Sequence, residues 1–317
     1  MKNTRLILTV EEAAKNHDKW LAIRKAGLGG SDAGVVMGMN PFKSRLTLWM
    51  EKTGQIEEPD LSDNESVEMG TEFEPVIARL FEKRTGKKVR KCGTLQSIDH
   101  PWMLANVDRL VIGEDAGLEI KNVGVRQSGL WVDDELPDMY FCQVQHYLMC
   151  TGLERWYIAA LIGGNRFVYK EVFRNDRFIE DLFQKEAAFW SLVENRVMPQ
   201  VDGMPDTEVA LQRLYPKAQP ESAMEIDSTE ELERIFEDYK SYKKSIETLE
   251  QYVAECENRI KTLMGENARC KIGTHKASWI NMPGKVSADL KALKEELPDV
   301  YKKYTKTGNP YRRFSMK

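Results

Sequence analysis

Asp108, Glu119 and Lys121 have the residue types and the spacing that could cleave a phosphodiester bond. They lie in the segment LANVDRLVIGEDAGLEIKNV, where Glu119 follows Asp108 by eleven positions. Two carboxylates can hold a hard divalent cation. Because side chains alternate along a strand, Lys121 shares a face with Glu119. A cation that polarises a phosphate, beside an amine that orients water, makes a phosphodiester-cleaving site.

This segment is predicted to form a β-hairpin, and its register decides whether the three side chains can converge. Directly opposed residues of an antiparallel pair point to one face. A five-residue loop would put Asp108 on the opposite face from Glu119 and Lys121. A four-residue loop pairs Ile112 with Gly117. Asp108 then stands opposite Lys121, with Glu119 on the diagonal at about 7–8 Å between backbones. We expect that register, or a bulge that restores it.

The alternative interpretation makes Glu119 and Lys121 the solvent face of an amphipathic strand. Asp108 follows an apolar run, however, and Glu119 lies where the sheet is expected to be covered. Buried charges need a partner or a metal ion. This placement favours the catalytic interpretation.

Other residues could complete such a site. Glu74 lies one residue from the apolar stripe of a helix and can reach inward, although it could equally be a surface charge. Gln143 shares a helix face with Tyr140, and its amide could orient a phosphate or the attacking water. Ser31, at a glycine-rich helix start, offers an anion-binding position. Arg24 could add a bidentate phosphate contact.

Length and composition restrict the class of protein. The chain has 317 residues, enough for about two domains, and a formal net charge of −4. Nucleic-acid binding would therefore require local basic patches. The five cysteines form no CxxC pair, which is typical of a reducing cytoplasm. We also expect no signal peptide and no membrane span, since no apolar run is long enough.

The element pattern predicts an α/β (α+β) fold. Strands alternate with helices over residues 1–200, one hairpin among them, which indicates a mixed sheet flanked by helices. Residues 201–227 contain prolines and are predicted to be an irregular linker. Residues 228–317 are predicted to form an extension with a long helix, a small hairpin and a basic, aromatic tail.

The extension carries the most regular pattern in the chain. Apolar residues from Leu232 to Leu263 alternate in steps of three and four, as in a heptad seam. The helix could pack on a partner within its own chain or coil with another molecule. The tail 301–317 has six basic and no acidic residues, interleaved with Tyr304, Tyr311 and Phe314. Tyr301 at its start is a fourth aromatic residue. The tail could bind phosphates and stack on bases, or be a solvated end with its aromatic rings packed underneath.

Several motifs together resemble the YqaJ viral recombinase family, which is related to phage lambda exonuclease. The motifs occur in order over roughly residues 15–200. They are Arg24 with GGSDA, NPFKSRLTLWMEKTG, MGTEFEPVIARLFEKRTGKKVR, LANVDRL, GLEIKN, QVQHYLMCTG and RWYIAALIGG. The resemblance implies the restriction-endonuclease-like PD-(D/E)xK fold and Mg²⁺-dependent 5′-to-3′ degradation of duplex DNA. It also implies a toroidal trimer that acts beside a phage single-strand annealing protein.

The resemblance also implies the metal site. Asp108 and Glu119 would bind the metal, assisted by the backbone carbonyl of Ile120. Glu74 matches the helix glutamate that completes this site in the family. Lys121 would activate or position the attacking water.

The remaining roles follow from the same motifs. Tyr140 and Gln143 match the aromatic ring and the amide beside the scissile phosphate. Arg24 and Ser31 match the pair that binds a 5′-phosphate. The proline that usually precedes the first aspartate of the motif is Val107 here, which removes no ligand. Beyond residue 200 the chain matches only the tails of phage relatives.

We therefore expect a double-stranded DNA exonuclease that uses two Mg²⁺ ions, or Mn²⁺ in their place, and leaves 3′ single-stranded tails. A structure-specific endonuclease of the same fold shares this chemistry and differs only in substrate access. An iron–sulfur nuclease would need a cysteine quartet, for which Cys142 and Cys150 lack suitable neighbours. Outside the class of enzymes, the alternative is a DNA-binding scaffold protein that has no catalytic activity.

Overall fold

A computed structural model describes residues 3–57, 63–133, 135–219, 222–308 and 310–316. The chain divides into two compact units, Met1–Pro216 and Lys217–Lys317. The predicted domain limits at 200 and 228 stay predictions.

The first unit mixes helices and strands, as the sequence predicts for an α/β fold. Its strands are β1 (Thr4–Leu8), β2 (Val89–Lys91), β3 (Thr94–Ser97), β4 (Leu104–Asn106), β5 (Arg109–Val111), β6 (Ala116–Val123), β7 (Arg155–Ile162) and β8 (Arg166–Phe173). Its helices are α1 (Val10–Lys15), α2 (His17–Lys25), α3 (Gly30–Val36), α4 (Arg45–Thr53), α5 (Glu65–Thr85), α6 (Asp138–Thr151), α7 (Asp176–Glu194) and α8 (Pro205–Leu214), with a 3-10 helix over Val125–Trp131.

A five-stranded mixed sheet in the order β2-β5-β6-β7-β8 forms the centre of this unit. Strands β6 and β7 are parallel, and the other neighbours are antiparallel. Helix α5 packs Ile77 and Phe81 on one face of the sheet, against Leu118 and Tyr157. Helix α6 covers the other face. The predicted mixed sheet flanked by helices is confirmed.

The predicted hairpin is divided between two sheets. Strand β4 pairs with β3 in a separate sheet of order β1-β3-β4, whereas β5 pairs with β6 in the central sheet. The chain leaves the first sheet at Val107 and Asp108, which belong to neither strand. Asp108 therefore lies at a break between sheets, where its carboxylate is not held to one side of a ladder.

The predicted pairing of Ile112 with Gly117 is wrong by two residues. The structure pairs Leu110 with Gly117 and Arg109 with Leu118. A shift of two preserves which face each side chain occupies. Packing requires glycine at position 117, because a Cβ atom there would lie 2.2 Å from Cζ2 of Trp156.

Helix α8 lies within the stretch that the sequence predicted to be irregular. Pro205 opens it, and Asp206 accepts a hydrogen bond from the Ser44 backbone N–H at 2.7 Å. The contact joins α8 to the start of α4, on which it packs. The prediction of an irregular stretch over 201–227 is therefore wrong for the residues of α8.

A fully buried ion pair joins α6 and α7. His146 Nδ1 lies 2.8 Å from Oε1 of Glu186, and Nε2 lies 2.8 Å from the carbonyl oxygen of Leu104. Both ring nitrogens therefore face acceptors, which favours the imidazolium form. Burial opposes this charge, but Glu186 and the Leu104 carbonyl raise the pKa of His146 above 6.5.

This pair predicts a pH-dependent stability. A histidine whose folded pKa is raised contributes stability that is complete below pH 6.5 and is lost as pH rises through the folded pKa. The advantage in unfolding free energy of the natural chain over His146→Gln/Glu186→Gln should therefore shrink above pH 6.5. Glu186→Ala alone should cost about 3–5 kcal/mol, because it leaves one buried charge unpaired. Urea unfolding from about pH 5 to 9 measures both. If the difference in unfolding free energy between the natural chain and the double variant widens as pH rises, the assignment of a charged His146–Glu186 pair is contradicted.

The second unit contains the long helix α9 (Glu230–Met264), the hairpin of β9 (Arg269–Ile272) and β10 (His275–Ser278), and the short helices α10 (Leu290–Glu296) and α11 (Pro298–Tyr304). These elements confirm the predicted helix and small hairpin. In the tail, Tyr304, Tyr311 and Phe314 are exposed, so their rings are not packed underneath. Asn309 and Lys317 of the predicted tail lie outside the described residues.

Among the helices of the described residues, none combines the length and the apolar content needed to cross a membrane.

Candidate active site

The strand β6 positions the predicted catalytic residues by alternation. Leu118 and Ile120 pack in the cluster on the α5 side of the sheet. Because successive side chains point to opposite faces, Glu119 and Lys121 project towards α6. Glu119 is 3% exposed, so the interpretation that it belongs to a solvent face is wrong.

The Glu119 carboxylate is held asymmetrically. Its Oε1 atom accepts a hydrogen bond from Nε2 of Gln143 at 2.7 Å and lies 2.6 Å from Nζ of Lys121. Its Oε2 atom is buried and has no hydrogen-bond partner among the described residues. A buried carboxylate oxygen without a partner carries a desolvation cost that a bound cation would offset.

Asp108 joins the same site from the break between β4 and β5. The backbone N–H of Ile120 donates to its Oδ2 atom at 2.8 Å, which places the carboxylate beside the strand that carries Glu119. Burial and the Glu119 charge raise the pKa of Asp108 well above its usual value, although Lys121 and the Ile120 N–H act in the opposite direction. The buried Glu119 carboxylate and the half-buried Asp108 carboxylate therefore repel each other here, and the one ammonium of Lys121 interacts with both.

The donor set fits a hard divalent cation, because carboxylate oxygens are the ligands that Mg²⁺ prefers. Asp108 and Glu119 supply such oxygens, and Oε2 of Glu119 accepts no hydrogen bond from any residue that the structure describes. Within the described ranges, no three His, Cys, Asp or Glu side chains gather closely enough to form a complete metal site. Two protein carboxylates with water and substrate oxygens are consistent with the usual coordination of Mg²⁺.

Glu74 reaches the edge of this site but is engaged elsewhere. Its Oε1 atom forms an ion pair with a guanidinium nitrogen of Arg109, and the same nitrogen donates to the Asp108 carbonyl oxygen at 2.7 Å. Arg109 thus ties α5 to the backbone of the first acidic residue. No sequence motif indicated a role for Arg109, although it directly follows Asp108 in the chain. The role of Glu74 as a metal ligand stays a prediction, as does that of the Ile120 carbonyl.

Helix α6 supplies a polar network under the carboxylates. Gln143 donates both to Glu119 and, at 2.9 Å, to the hydroxyl oxygen of Tyr147. The Tyr147 hydroxyl donates in turn to the Asn106 carbonyl oxygen at 2.9 Å. The hydrogen bonds to Glu119 and Tyr147 fix the orientation of the Gln143 side-chain amide. Nothing in the local sequence pattern predicts the long-range contact with Asn106.

Tyr140 lies on the same helix one turn before Gln143. Its ring centre is 4.9 Å from Nζ of Lys121, a cation–π distance, and 5.6 Å from the ring of Trp131. Tyr140 and Glu119 therefore hold Lys121 from two sides. The structure thus brings together Asp108, Glu119, Lys121, Gln143 and Tyr140.

The two predicted phosphate-binding residues lie on neighbouring helices, Arg24 in the last turn of α2 and the exposed Ser31 in the first turn of α3. A Cβ atom on Gly30 would lie 2.6 Å from the ring of Tyr147, so glycine at this position allows the start of α3 to approach the polar network closely. The Arg24 guanidinium lies over the ring of Trp20 at 4.8 Å. Burial raises the pKa of the Asp32 carboxyl, but the charges of Lys52 and Arg24 outweigh it and hold that pKa at about 2. The role of Arg24 and Ser31 in phosphate binding stays a prediction.

A cleft of about 270 Å³ opens onto Asp108. Glu74 and Arg109 line it on one side, and Trp20 and Lys91 contribute an aromatic ring and a cation. An aromatic ring beside cations is a lining that can stack on a base and neutralise a phosphate.

The whole chain is similar to a curated relative. A family model of the YqaJ-like viral recombinase domain matches residues 19–154. The uncharacterized protein YqaJ of Bacillus subtilis (strain 168) is 37% identical over 321 residues, which cover 100% of this chain and 99% of the relative. The chain belongs to the YqaJ-like viral recombinase family. The resemblance found in the sequence motifs is thereby confirmed, and the similarity extends beyond residue 200 into the second unit.

Two solved structures are similar over little more than half of the chain. An alkaline exonuclease (LHK-Exo) from Laribacter hongkongensis has a TM-score of 0.49 and 23% identity, over 57% of this chain and 94% of that one. A phage-related exonuclease from Haemophilus somnus 129PT has a TM-score of 0.44 and 12% identity, over 54% of this chain and 95% of that one.

The repulsion between the two carboxylates predicts that one substitution stabilises the metal-free protein. Asp108→Asn keeps an oxygen that can accept from the Ile120 N–H but removes one buried negative charge. The melting temperature in EDTA should rise, and the further rise on adding Mg²⁺ should disappear. Asp115→Asn, at an exposed position in the β5–β6 turn, is the matched control and should change neither. A lower melting temperature for Asp108→Asn in EDTA would contradict the proposed repulsion.

Proposed function

We propose that the chain is a Mg²⁺-dependent exonuclease that degrades double-stranded DNA from 5′ to 3′. The observation that carries this proposal is the convergence of Asp108 and Glu119 beside Lys121, with one buried carboxylate oxygen lacking a partner among the described residues. Membership of a viral recombinase family supports it. The 3′ single-stranded tails that remain would serve a phage single-strand annealing protein.

The chain's own residues bind and orient the reactants. Asp108 and Glu119 would hold the metal, with the Ile120 carbonyl assisting and Glu74 able to join if it leaves Arg109. Bound there, Mg²⁺, or Mn²⁺ with its similar preference for oxygen ligands, would polarise the scissile phosphate and stabilise the attacking and leaving oxygens. We propose two such ions.

Lys121 is the residue closest to the attacking water in this proposal. Burial opposes its charge, but the carboxylates of Glu119 and Asp108 raise its pKa above 10.5, so it is an ammonium at neutral pH. In that form it donates hydrogen bonds that orient the water or the phosphate. It can accept a proton only where nearby positive charge lowers its pKa. Gln143 and Tyr140 keep the carboxylate and the ammonium in place.

Arg24 and Ser31 would bind the 5′-phosphate of a DNA end. An arginine can contact phosphate oxygens in a bidentate manner, and a serine hydroxyl adds a neutral donor. Gly30, which precedes Ser31, lies against Tyr147, and the Arg24 charge acts on the Tyr147 hydroxyl, so a terminal phosphate held by this pair would lie near the network that holds Glu119. We further propose that the protein acts as a homo-oligomer, with the trimer of the family as the expected form.

The catalytic assignment predicts the effect of single substitutions. Glu119→Ala and Lys121→Ala should each lower Mg²⁺-dependent duplex digestion by at least about a hundredfold, because metal binding or water orientation is lost. Binding of duplex DNA, measured by fluorescence anisotropy, should remain. Lys88→Ala removes a lysine whose side chain is 72% exposed and is the matched control, with full activity. Undiminished digestion by Lys121→Ala would contradict the role of this lysine.

The end-dependence of the reaction separates the proposal from its alternatives. Linear duplexes with and without a 5′-phosphate, followed strand by strand, should show loss of the 5′-phosphorylated strand. A covalently closed circular duplex should stay intact, whereas a structure-specific endonuclease would nick it. Absence of any nucleotide release with Mg²⁺ or Mn²⁺ would favour a scaffold without activity.

The exposed tail predicts a contribution to DNA binding by the second unit. Replacing Tyr304, Tyr311 and Phe314 together by alanine should weaken the binding of single-stranded DNA, because each base stacked on an aromatic ring contributes about 1–3 kcal/mol. The rings are 73–82% exposed, so folding should not change. If the natural chain and the triple variant bind a single-stranded oligonucleotide with equal affinity at each of two salt concentrations, these rings do not contact DNA.

A further inference from the structure

Helix α9 carries an apolar stripe that its own unit leaves exposed at the centre. The helix has 35 residues and is therefore about 52 Å long. Ile246 and Leu249, at its centre, are 49% and 61% exposed, and Tyr242, Val253 and Leu263 are exposed as well. Within the described part of the second unit, no helix or strand packs extensively along it, and the tail residue Met316 lies beside Phe236 and Tyr239 near its start. An exposed apolar stripe of this length marks an interaction surface.

The stripe is a complete heptad seam. The a positions are Leu232, Tyr239, Ile246, Val253 and Ile260, and the d positions are Ile235, Tyr242, Leu249, Cys256 and Leu263. A seam of this kind is covered by another helix that inserts its own side chains between those of the first. The large tyrosines lie in the first half of the seam and the small Val253 and Cys256 in the second half. A copy of the same helix running in the opposite direction would therefore match large residues with small ones.

We propose that α9 pairs with α9 of a second copy of this chain as an antiparallel two-stranded coiled coil. The pairing is centred between Ile246 and Leu249, so that every seam residue has a partner. The layers that result are Leu232 with Leu263, Ile235 with Ile260, Tyr239 with Cys256, Tyr242 with Val253, and Ile246 with Leu249, each occurring twice.

The flanking charges support this direction. In an antiparallel pair, e positions face e positions and g positions face g positions. Lys243 then faces Glu250 of the second copy, and Asp238 faces Arg259 of the second copy. Since the arrangement is symmetric, each attraction occurs twice, which gives complementary charge on both sides of the seam.

The same charges fix the register. A shift of one heptad in one direction places Glu250 opposite Glu250 of the second copy. A shift in the other direction places Lys243 opposite Lys243. Both shifts also leave seam residues at the ends without partners. Like charges in direct opposition are destabilising, so the centred register is favoured.

A parallel pair is less well matched. It would stack Tyr239 on Tyr239 and Tyr242 on Tyr242 of the second copy, and Cys256 on Cys256. Its flanking charges offer only the attraction between Asp238 and Lys243, because the other g–e pairs lack opposite charges. The two arrangements therefore bring different cysteines and different charges together, and both differences can be measured on the full-length chain.

The first experiment tests whether α9 joins two copies. Leu249→Asp should halve the mass of the full-length assembly in sedimentation equilibrium if the first unit is a single copy or forms the proposed trimer, because each α9 then pairs with a copy outside that assembly. The side chain is 61% exposed, so the substitution breaks no core contact within the chain. Thr248→Asp, on the neighbouring exposed face, is the matched control and should leave the mass unchanged. An unchanged mass for Leu249→Asp, or a natural chain that shows no α9-dependent association, would overturn the proposal.

Cysteine cross-linking tests the direction. Under mild oxidation, the Tyr239→Cys variant should form a disulfide between position 239 of one copy and Cys256 of the other, identified by peptide mass spectrometry. Adding Cys256→Ser should abolish this cross-link. The natural chain should form no disulfide between the two Cys256 residues. A cross-link between two Cys256 residues, or one that persists in Tyr239→Cys/Cys256→Ser, would show a parallel pair and overturn the proposal.

Charge exchange tests the register. Lys243→Glu should weaken association at least about tenfold, because it places two acidic residues together twice per dimer. Lys243→Glu/Glu250→Lys should restore it. If association is restored by Lys243→Glu/Asp238→Lys and not by Lys243→Glu/Glu250→Lys, the helices are parallel, which would contradict the antiparallel arrangement. This inference does not depend on the proposed nuclease activity, because no measurement in it uses DNA or metal.

Discussion

The placement of two carboxylates, the buried Glu119 and the half-buried Asp108, against one strand is the constraint on which the first unit depends. Glu119 is 3% exposed, and Asp108 has a pKa raised well above its usual value by burial and by Glu119. Lys121 compensates one of the two charges. The surrounding groups, Gln143 and the Ile120 N–H, fix the orientation of the carboxylates without neutralising them. The sheet therefore holds an excess of negative charge that a divalent cation would relieve.

The break between the two sheets makes this arrangement possible. A continuous strand through 104–111 would direct Asp108 along one ladder, whereas the observed change of sheet at Val107 and Asp108 frees the carboxylate to accept from Ile120. Arg109 stabilises the backbone at this break, because its guanidinium contacts both Glu74 and the Asp108 carbonyl oxygen. Stability and function are opposed here, since the groups that would bind the cation are those that the fold buries at a cost.

Local patterns predicted most of the elements and the composition of the site. The apolar run of β7 and the amphipathic stripe of α5 indicated the central sheet and its cover, and alternation placed Glu119 and Lys121 on one face. The sequence could not show that β4 and β5 belong to different sheets, because each three-residue strand is too short to carry a pattern of its own. The His146–Glu186 pair and the Tyr147–Asn106 bond join residues 40 and 41 positions apart, and only the folded chain brings them together.

The most direct test of the central claim is the position of a bound cation. Crystals grown with Mn²⁺ should show an anomalous scattering peak for each bound ion, with at least one peak in contact with both the Asp108 and Glu119 carboxylates, at about 2.0–2.2 Å from their oxygens by analogy with the short bonds of Mg²⁺. The peak should be lost in crystals of Glu119→Gln. A fully ordered site at saturating Mn²⁺ with no peak between the two carboxylates would contradict the account.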